Sequence, residues 1–343
     1  EYTGMKLFRA YFSAKKESRR TKLVVPSSSH GTNPASAKLS GFDVIEVPAD
    51  KRGLVTLDVL KPYLHEDLAG IMLTNPNTLG LYEVEVAQIA QAVHEAGGLL
   101  YYDGANMNAI MGASRPGDMG FDVIHLNLHK TFSTPHGGGG PGSGPVLVSQ
   151  RMVPYLPVPD VVLEHGSYRL DWDRPESIGK ISGFYGNIGV CIRALTYILV
   201  MGSDGLREAS RMAVLNANYL MEELKSTYYL PYDRRCMHEC VFSAERLKAD
   251  TGVTALDVAK ALIDRNIHPP TVYFPLIIQE ALMVEPTETE SRETLDGFIA
   301  AMKDIHRLAY EDPSQIKQSP RLSPVGRVDD VGAARNPRVC FCG

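Results

Sequence analysis

The stretch His125-Leu126-Asn127-Leu128-His129-Lys130-Thr131-Phe132 decides the fold of this chain. An apolar run that begins at Val123 leads into it, and the glycine tract Gly137 to Gly140 follows it. The pattern predicts a buried strand that delivers Lys130 to a turn. A lysine at the end of a buried strand costs free energy unless its amine is paired, deprotonated or chemically used.

Two interpretations of Lys130 remain open at this point. The amine can extend along the apolar surface into solvent, as most lysines do. Alternatively, a desolvated lysine is a nucleophile that forms a Schiff base with an aldehyde. Asp103 favours the second interpretation because it ends an upstream apolar run, Leu99-Leu100-Tyr101-Tyr102. A Schiff-base lysine and a carboxylate that keeps a pyridine nitrogen protonated are the two groups that a pyridoxal phosphate site requires.

Short apolar strands alternate with amphipathic helices through the N-terminal half of the chain, which predicts an α/β fold with a mainly parallel sheet covered on both faces. The predicted strands before Asp103 are Lys22 to Val25, Asp43 to Val47 and Gly70 to Thr74. In such sheets, ligands bind outside the carboxyl ends of the strands. We therefore expect one shared rim for the polar residues at or just after strand ends, namely His30, Thr78, Asp103 and Lys130.

The character of the sequence changes near Pro154, where three prolines make a stiff connector. Longer helical patterns follow, with strand candidates at Cys240 to Phe242 and Ala281 to Val284. Thr254 and Asp257 are placed like a helix cap and its first-turn acid. We predict a large domain over residues 1–155, a smaller α+β domain over residues 156–312 and an extended C-terminal arm over residues 313–343.

Composition excludes several classes of function. The net charge of -5, without a long basic run, argues against a nucleic-acid partner. We find no apolar run of membrane-spanning length and expect no membrane partner. Five cysteines do not make a disulfide framework, which favours a reducing, cytoplasmic location. Cys236 to Cys240 contains two cysteines and a histidine, but no second ligand pair lies at a matching distance, so we expect no metal.

Long motifs occur along the whole sequence. The first are Ser29-His30-Gly31-Thr32-Asn33-Pro34-Ala35-Ser36 and Leu73-Thr74-Asn75-Pro76-Asn77-Thr78-Leu79-Gly80. The next are Asp103-Gly104-Ala105-Asn106, Asn127-Leu128-His129-Lys130-Thr131-Phe132, His268-Pro269-Pro270-Thr271 and Met283-Val284-Glu285-Pro286-Thr287-Glu288-Thr289-Glu290. These motifs resemble those of one known family, the pyridoxal phosphate subunit (P-protein) of glycine decarboxylase in the glycine cleavage system. The resemblance covers nearly the whole chain, and motifs of this length are specific.

The resemblance implies a fold-type I pyridoxal phosphate enzyme, with a transferase-like large domain and a smaller C-terminal domain. Lys130 would mark this chain as the catalytic half of a P-protein. The family's roles then fall on the matching residues. His30 would stack on the pyridine ring with Ala105 near its other face, Asp103 would pair with the ring nitrogen, and Thr78 would lie near the phenolic oxygen. His129 and Thr131 would reach the phosphate or the substrate carboxylate.

The implied reaction is the decarboxylation of glycine, with transfer of the aminomethyl group to the lipoyl arm of the H-protein. The implied assembly is an α2β2 heterotetramer with the non-catalytic half, or subunit 1. The location would be cytoplasmic for a bacterial or archaeal source and mitochondrial for a eukaryotic one. The family's glycine-rich phosphate turn would precede Glu1, so we expect the chain to lack its N-terminal segment. Two alternatives remain, another fold-type I amino-acid decarboxylase and a truncated, non-catalytic pairing subunit.

Overall fold

A computed structural model describes residues 1–137 and 142–340. Contacts divide the chain into two compact units, and the first contains Glu1–Asn218, Arg234–Cys240 and Pro286–Thr289. Its helices are α1 (Tyr2–Ala14), α2 (Thr32–Leu39), α3 (Leu57–Leu60), α4 (Val86–Glu95), α5 (Leu128–Thr131) and most of α6 (Ile188–Leu224). Its strands are β1 (Lys22–Pro26), β2 (Asp43–Val47), β3 (Leu68–Leu73), β4 (Leu99–Gly104), β5 (Val123–Leu126), β6 (Val146–Val148), β7 (Asp160–Glu164) and β8 (Ser167–Asp171).

The first six strands form one sheet in the order β2-β1-β3-β4-β5-β6. All neighbours are parallel except β5 and β6, which are antiparallel. Every residue of β3 and β4 is buried, as expected for central strands with helices on both faces. The predicted mainly parallel sheet is therefore confirmed.

Two apolar clusters cover the two faces of this sheet. Alternate residues of β4 contribute to them, because successive side chains of a strand point to opposite faces. Tyr101 packs with α1, where its ring meets Phe8 edge to face, and Tyr102 packs with Phe121 on the other side. Both tyrosine rings are fully buried, so these neighbours fix the backbone that carries Asp103.

The structure corrects the prediction for the lysine-bearing stretch. The strand ends at Leu126, and Lys130 lies on the single helical turn α5. Backbone partners outside the sheet explain the early end, because the Leu128 N–H donates to the Ser143 carbonyl at 3.2 Å and Phe132 N–H closes the turn onto Leu128. The lysine is consequently exposed rather than buried at a strand end.

The second unit contains Tyr219–Asp233, Val241–Glu285 and Glu290–Gly343. Its helices are α7 (Glu245–Thr251), α8 (Ala255–Ile263), α9 (Arg292–Glu311), α10 (Pro313–Lys317) and α11 (Asp330–Arg335). A small sheet has the order β10-β11-β9, formed by Thr271–Val272, Ala281–Val284 and Cys240–Ser243. Thr254 and Asp257 form the predicted capping box of α8. The predicted boundaries at residues 155 and 312 stay predictions, although the first unit continues through Asn218 and two short helices lie beyond residue 312.

Among the described residues, α6 is a helix of 37 residues that is long and apolar enough to cross a membrane by length and composition. The expectation that no apolar run reaches that length was therefore wrong. The helix is interrupted at Gly202, whose backbone is not helical. From Ile188 to Met201 the helix extends only about 21 Å at ~1.5 Å per residue, shorter than a hydrocarbon core of roughly 30 Å.

Candidate active site

The loops after β1, β3, β4 and β5 meet at the carboxyl edge of the sheet and are joined by hydrogen bonds. Thr78, after β3, donates its hydroxyl proton to the Ser28 carbonyl, after β1. Met107, after β4, donates its N–H to Thr131 Oγ1 on α5 at 2.8 Å. The rim predicted from the sequence thus brings together the loops that carry His30, Thr78, Ala105 and Lys130.

Asp103 is the buried charge of this rim, with 2% of its surface exposed. Its Oδ1 accepts the backbone N–H of Ala105 at 3.0 Å, and its Oδ2 accepts Asn33 Nδ2 at 3.0 Å. Gly104 allows β4 and β5 to approach, because a side chain there would place its Cβ 2.2 Å from the His125 carbonyl oxygen. The carboxylate is therefore fixed in position by its neighbours in sequence and across the sheet.

His125 is a site residue that the sequence analysis missed. It lies opposite Asp103 in the β4–β5 register, and its Nε2 is 3.3 Å from Asp103 Oδ1. Burial lowers the pKa of His125, although the negative charge of Asp103 opposes that shift. Burial also raises the pKa of Tyr101, whose hydroxyl lies 2.8 Å from His125 Nδ1. If Tyr101 donates to Nδ1, a neutral imidazole carries its proton on Nε2, which lies beside the carboxylate but makes no hydrogen bond with any described residue.

His30 lies on the turn between β1 and α2 and is exposed. Its Nδ1 accepts the backbone N–H of Thr32 at 3.2 Å, which fixes the ring relative to the start of α2. Glu1 reaches the same place, because its carboxylate accepts the hydroxyls of Thr32 at 2.9 Å and Ser36 at 3.2 Å. The imidazole is thus exposed at the rim, on the turn that leads into α2.

Buried polar groups shape the loop that presents Thr78. Asn77 donates to Glu83 Oε1 at 2.7 Å, and the Val55 N–H donates to Glu83 Oε2 at 2.9 Å. Burial nevertheless raises the pKa of Glu83 to about 7. Gly80 has a φ of +74°, and a Cβ there would lie 1.9 Å from the Glu239 carbonyl oxygen, so only glycine fits this turn.

The helical turn α5 presents three predicted site residues in succession. Lys130 is exposed, and its amine makes no hydrogen bond or ion pair with any residue that the structure describes. His129 Nδ1 is buried and lacks a hydrogen-bond partner within the same part of the chain. The His129 ring meets His136 edge to face, with centroids 4.6 Å apart. Of the glycine tract predicted to form a flexible mouth, residues 138–140 lie outside the described residues.

These residues fit pyridoxal phosphate. The exposed amine of Lys130 and the buried carboxylate of Asp103 are the two groups that the cofactor requires. Thr131 accepts a hydrogen bond from Met107 and so keeps its own proton for an anion, and the orphaned His129 Nδ1 offers a second polar contact. Thr78 can only accept in this conformation, since its proton is committed to Ser28.

Comparison with curated proteins gives close relatives along almost the full chain. The sequence is 58% identical to a protein of Caldanaerobacter subterraneus subsp. tengcongensis over 98% of this chain and 69% of the relative. It is also 58% identical to a protein of Thermococcus onnurineus over 99% of this chain and 69% of that relative. Both are named "Probable glycine dehydrogenase (decarboxylating) subunit 2". The chain belongs to the glycine dehydrogenase (decarboxylating) subunit 2 family.

A family model for the C-terminal domain of glycine dehydrogenase matches residues 209–319, so the family assignment extends beyond the cofactor rim. Solved structures agree on the fold of the chain. Glycine decarboxylase (P-protein) superposes with a TM-score of 0.72 at 20% identity, over 88% of this chain and 68% of that one. Glutamate decarboxylase of Lactobacillus brevis gives 0.66 at 17% identity, over 90% and 72%. The predicted fold-type I class is confirmed.

Proposed function

We propose that this chain is the catalytic half of a glycine decarboxylase that uses pyridoxal 5'-phosphate. The observation that carries the proposal is the amine of Lys130, which has no partner among residues 1–137 and 142–340, at the same rim as the buried carboxylate of Asp103. Membership of the glycine dehydrogenase family supports glycine as the substrate. It favours this reaction over that of another fold-type I decarboxylase.

The chain's own residues have separable tasks in this proposal. When bound, pyridoxal phosphate supplies an aldehyde for the amine and a ring that withdraws electrons from the bond to the leaving carboxylate. Lys130 binds the cofactor and takes or returns a proton at Nζ. Asp103 holds a proton on the ring nitrogen, and His125 restrains the carboxylate from the other side.

The remaining predicted residues orient the cofactor and the substrate and hold them in place. His30 offers its exposed ring to one face of the cofactor, with Ala105 near the other. The Thr131 hydroxyl can donate its proton to the phosphate or the substrate carboxylate. The His129 Nδ1 can make a second contact with either anion. Thr78 must rotate away from Ser28 before it can donate to the phenolic oxygen. Glycine then loses carbon dioxide, and its aminomethyl carbon forms a C–S bond to the lipoyl arm of the H-protein as the lipoyl disulfide bond breaks. The second lipoyl sulfur takes up a proton and leaves as a thiol on the same arm, so the lipoyl group is reduced.

The proposed assembly pairs this chain with subunit 1, as the relatives' name implies a counterpart. An exposed apolar face supports such pairing. It lies on the first half of α6 and is formed by Ile188, Ile192, Leu195, Leu199 and Val200, each more than half exposed. Apolar patches of this kind on one helix face are typical of protein interfaces. An α2β2 assembly and a cytoplasmic location complete the proposal, and the free thiols of Cys191, Cys236, Cys240 and Cys340 suit a reducing compartment.

The test is exchange of labelled carbon dioxide into the carboxyl group of glycine by this chain together with subunit 1. We expect exchange that requires both pyridoxal phosphate and lipoylated H-protein. Exchange that proceeds equally with another amino acid, or without the lipoyl protein, would favour a different fold-type I decarboxylase. Binding of subunit 1 with no exchange under any condition would favour a non-catalytic pairing subunit.

A further inference from the structure

A cavity lies within the first unit, and none of its lining residues belongs to the predicted cofactor site. It has a volume of about 530 Å³, inside the roughly 300–1,000 Å³ typical of small-molecule sites. Its walls come from the loop after β4, the second half of α6 and residues 235–237. The walls are mainly apolar, and the contributors include Ala109, Val214 and Met237.

Hydrogen bonds hold the walls of this cavity in place. Asn218 Nδ2 donates to the Cys236 carbonyl at 2.7 Å, and the Cys236 N–H donates back to Asn218 Oδ1 at 3.2 Å. Arg207 Nε donates to the Gly112 carbonyl at 3.1 Å, which ties α6 to the loop after β4. The Met237 N–H donates to the Gly80 carbonyl at 2.6 Å. The cavity is therefore part of the folded framework.

Three guanidinium groups line the cavity, on Arg207, Arg211 and Arg235. Arg211 pairs with Glu208 at 3.5 Å across the helix surface. The Nη groups of Arg207 have no partner, and Arg235 makes no hydrogen bond or ion pair, among residues 1–137 and 142–340. The guanidinium groups of Arg207 and Arg235 therefore lie beside one cavity without a carboxylate partner among the described residues. Such groups favour a ligand that carries a planar or tetrahedral oxyanion.

Ser210 gives an independent indication of a ligand. The residue lines the same cavity and is 2% exposed, and its Oγ is buried with no hydrogen-bond partner in the described part of the chain. A buried hydroxyl without a partner is unfavourable, and nearly all such groups in folded proteins are satisfied. If the Ser210 side chain rotates toward the cavity, an oxyanion held by the arginines would supply the missing acceptor.

We propose that this cavity binds a small organic oxyanion, a phosphate monoester or a carboxylate, whose aliphatic body lies against the apolar wall. The anion contacts Arg207 and Arg235, and it reaches the Ser210 hydroxyl once that side chain rotates toward the cavity. This site goes beyond the proposed decarboxylation, and its occupancy does not depend on pyridoxal phosphate or glycine.

Calorimetric titrations of the chain without cofactor, using octyl phosphate, octanoate and octanol, test this proposal. We expect saturable binding of one or both anions and at least tenfold weaker binding of octanol. Preference for octyl phosphate assigns the site to phosphate monoesters, and preference for octanoate assigns it to carboxylates. Octanol that binds as tightly as both anions would overturn the proposal, because apolar contact alone would then explain the binding.

Variants connect the binding to this cavity. Arg235→Gln changes a residue without an internal partner, so it should fold normally and bind the preferred anion at least tenfold more weakly. Ser210→Ala should weaken binding severalfold and leave the urea midpoint of the unliganded chain unchanged or higher. Arg19→Gln is the matched control, since Arg19 forms a surface pair with Glu66 on the first unit. Affinities that agree within twofold for the wild type, Arg235→Gln and Arg19→Gln would place the binding elsewhere and refute the proposal.

Discussion

The surroundings of Asp103 determine which substitution can separate its charge from its shape. Asn33 and the Ala105 N–H each donate to one carboxylate oxygen, and His125 faces Oδ1 from the neighbouring strand. Asn33 Oδ1 has no partner of its own among the described residues. An amide at position 103 can therefore be accommodated by rotation of the Asn33 side chain, which exchanges donor for acceptor.

Asp103→Asn should consequently fold and retain pyridoxal phosphate while it loses turnover. An amide can hydrogen-bond the ring nitrogen, but it supplies no negative charge to keep the proton there. We expect kcat to fall roughly a hundredfold or more, in line with the loss of a buried electrostatic contact. The measurements are a cofactor titration and glycine–carbon dioxide exchange, with the exposed Asp118→Asn as control. Near-normal exchange in Asp103→Asn would show that the ring nitrogen has another partner.

Glu83 gives a prediction about pH and stability. Burial raises its pKa from 4.5 to about 7 in the folded chain, so the folded state binds this proton more tightly than the unfolded state does. The resulting stabilisation is fully present below the unfolded value and is lost as the pH rises through the folded value. At about 1.4 kcal/mol per pKa unit, the loss is roughly 3 kcal/mol between those limits.

Urea unfolding at pH 5 and pH 8 measures this contribution. The free energy of unfolding should fall more between those pH values in the wild type than in Glu83→Gln, where position 83 cannot ionise. The exposed Glu66→Gln should retain the full pH dependence of the wild type. Equal pH dependence in the wild type and Glu83→Gln would mean that Glu83 is already ionised in the folded chain at pH 5.

At the scale of the element, α8 begins with a reciprocal cap that the sequence predicted. Asp257 N–H donates to Thr254 Oγ1 at 3.2 Å, and Thr254 N–H donates to Asp257 Oδ2 at 2.8 Å. Thr254→Ala removes the side-chain acceptor and should destabilise the second unit by about 1–2 kcal/mol. Thr254→Ser retains the hydroxyl and should cost much less. Equal urea midpoints for the alanine and serine variants would show that the cap contributes little.

Local sequence signals, such as helix caps, apolar runs and turn residues, explain how much of the fold could be predicted. β2 was predicted with its observed limits because its apolar run is bounded by turn residues. The hairpin of β7 and β8 was missed since most of its side chains on both faces are exposed, which leaves no alternation to detect. The turn α5 is too short to show helical periodicity, so Lys130 was assigned to a strand end.

Part of the site could likewise be predicted from the sequence, and part of it could not. The rim was predictable because it depends on the order of strands and helices along the chain. His125 was not, since its approach to Asp103 depends on the register between β4 and β5. Asn33 lies within a recognised motif, but its contact with Asp103 connects residues 70 positions apart. The period-two alternation along β5 is the signal that could have placed His125 on a buried face of the sheet.

At the scale of the whole molecule, the exposed apolar face on the first half of α6 predicts the partner-binding surface. Leu199 is 72% exposed on that face. Leu199→Asp should weaken co-purification with subunit 1 by at least tenfold, because it places a charge inside an apolar contact. Leu39 is 71% exposed on α2, so Leu39→Asp is the matched control. Unchanged co-purification of Leu199→Asp would move the interface away from this face.

The central claim, that Lys130 is the residue that binds pyridoxal phosphate, has a direct test. The chain, assembled with subunit 1, is incubated with pyridoxal phosphate, reduced with borohydride and digested, and the modified peptide is identified by mass spectrometry. The account predicts a single stoichiometric label on Lys130 and no label at any lysine in Lys130→Ala that retains its fold. A stoichiometric label on Lys38 or Lys180, or one that survives in Lys130→Ala, would contradict it.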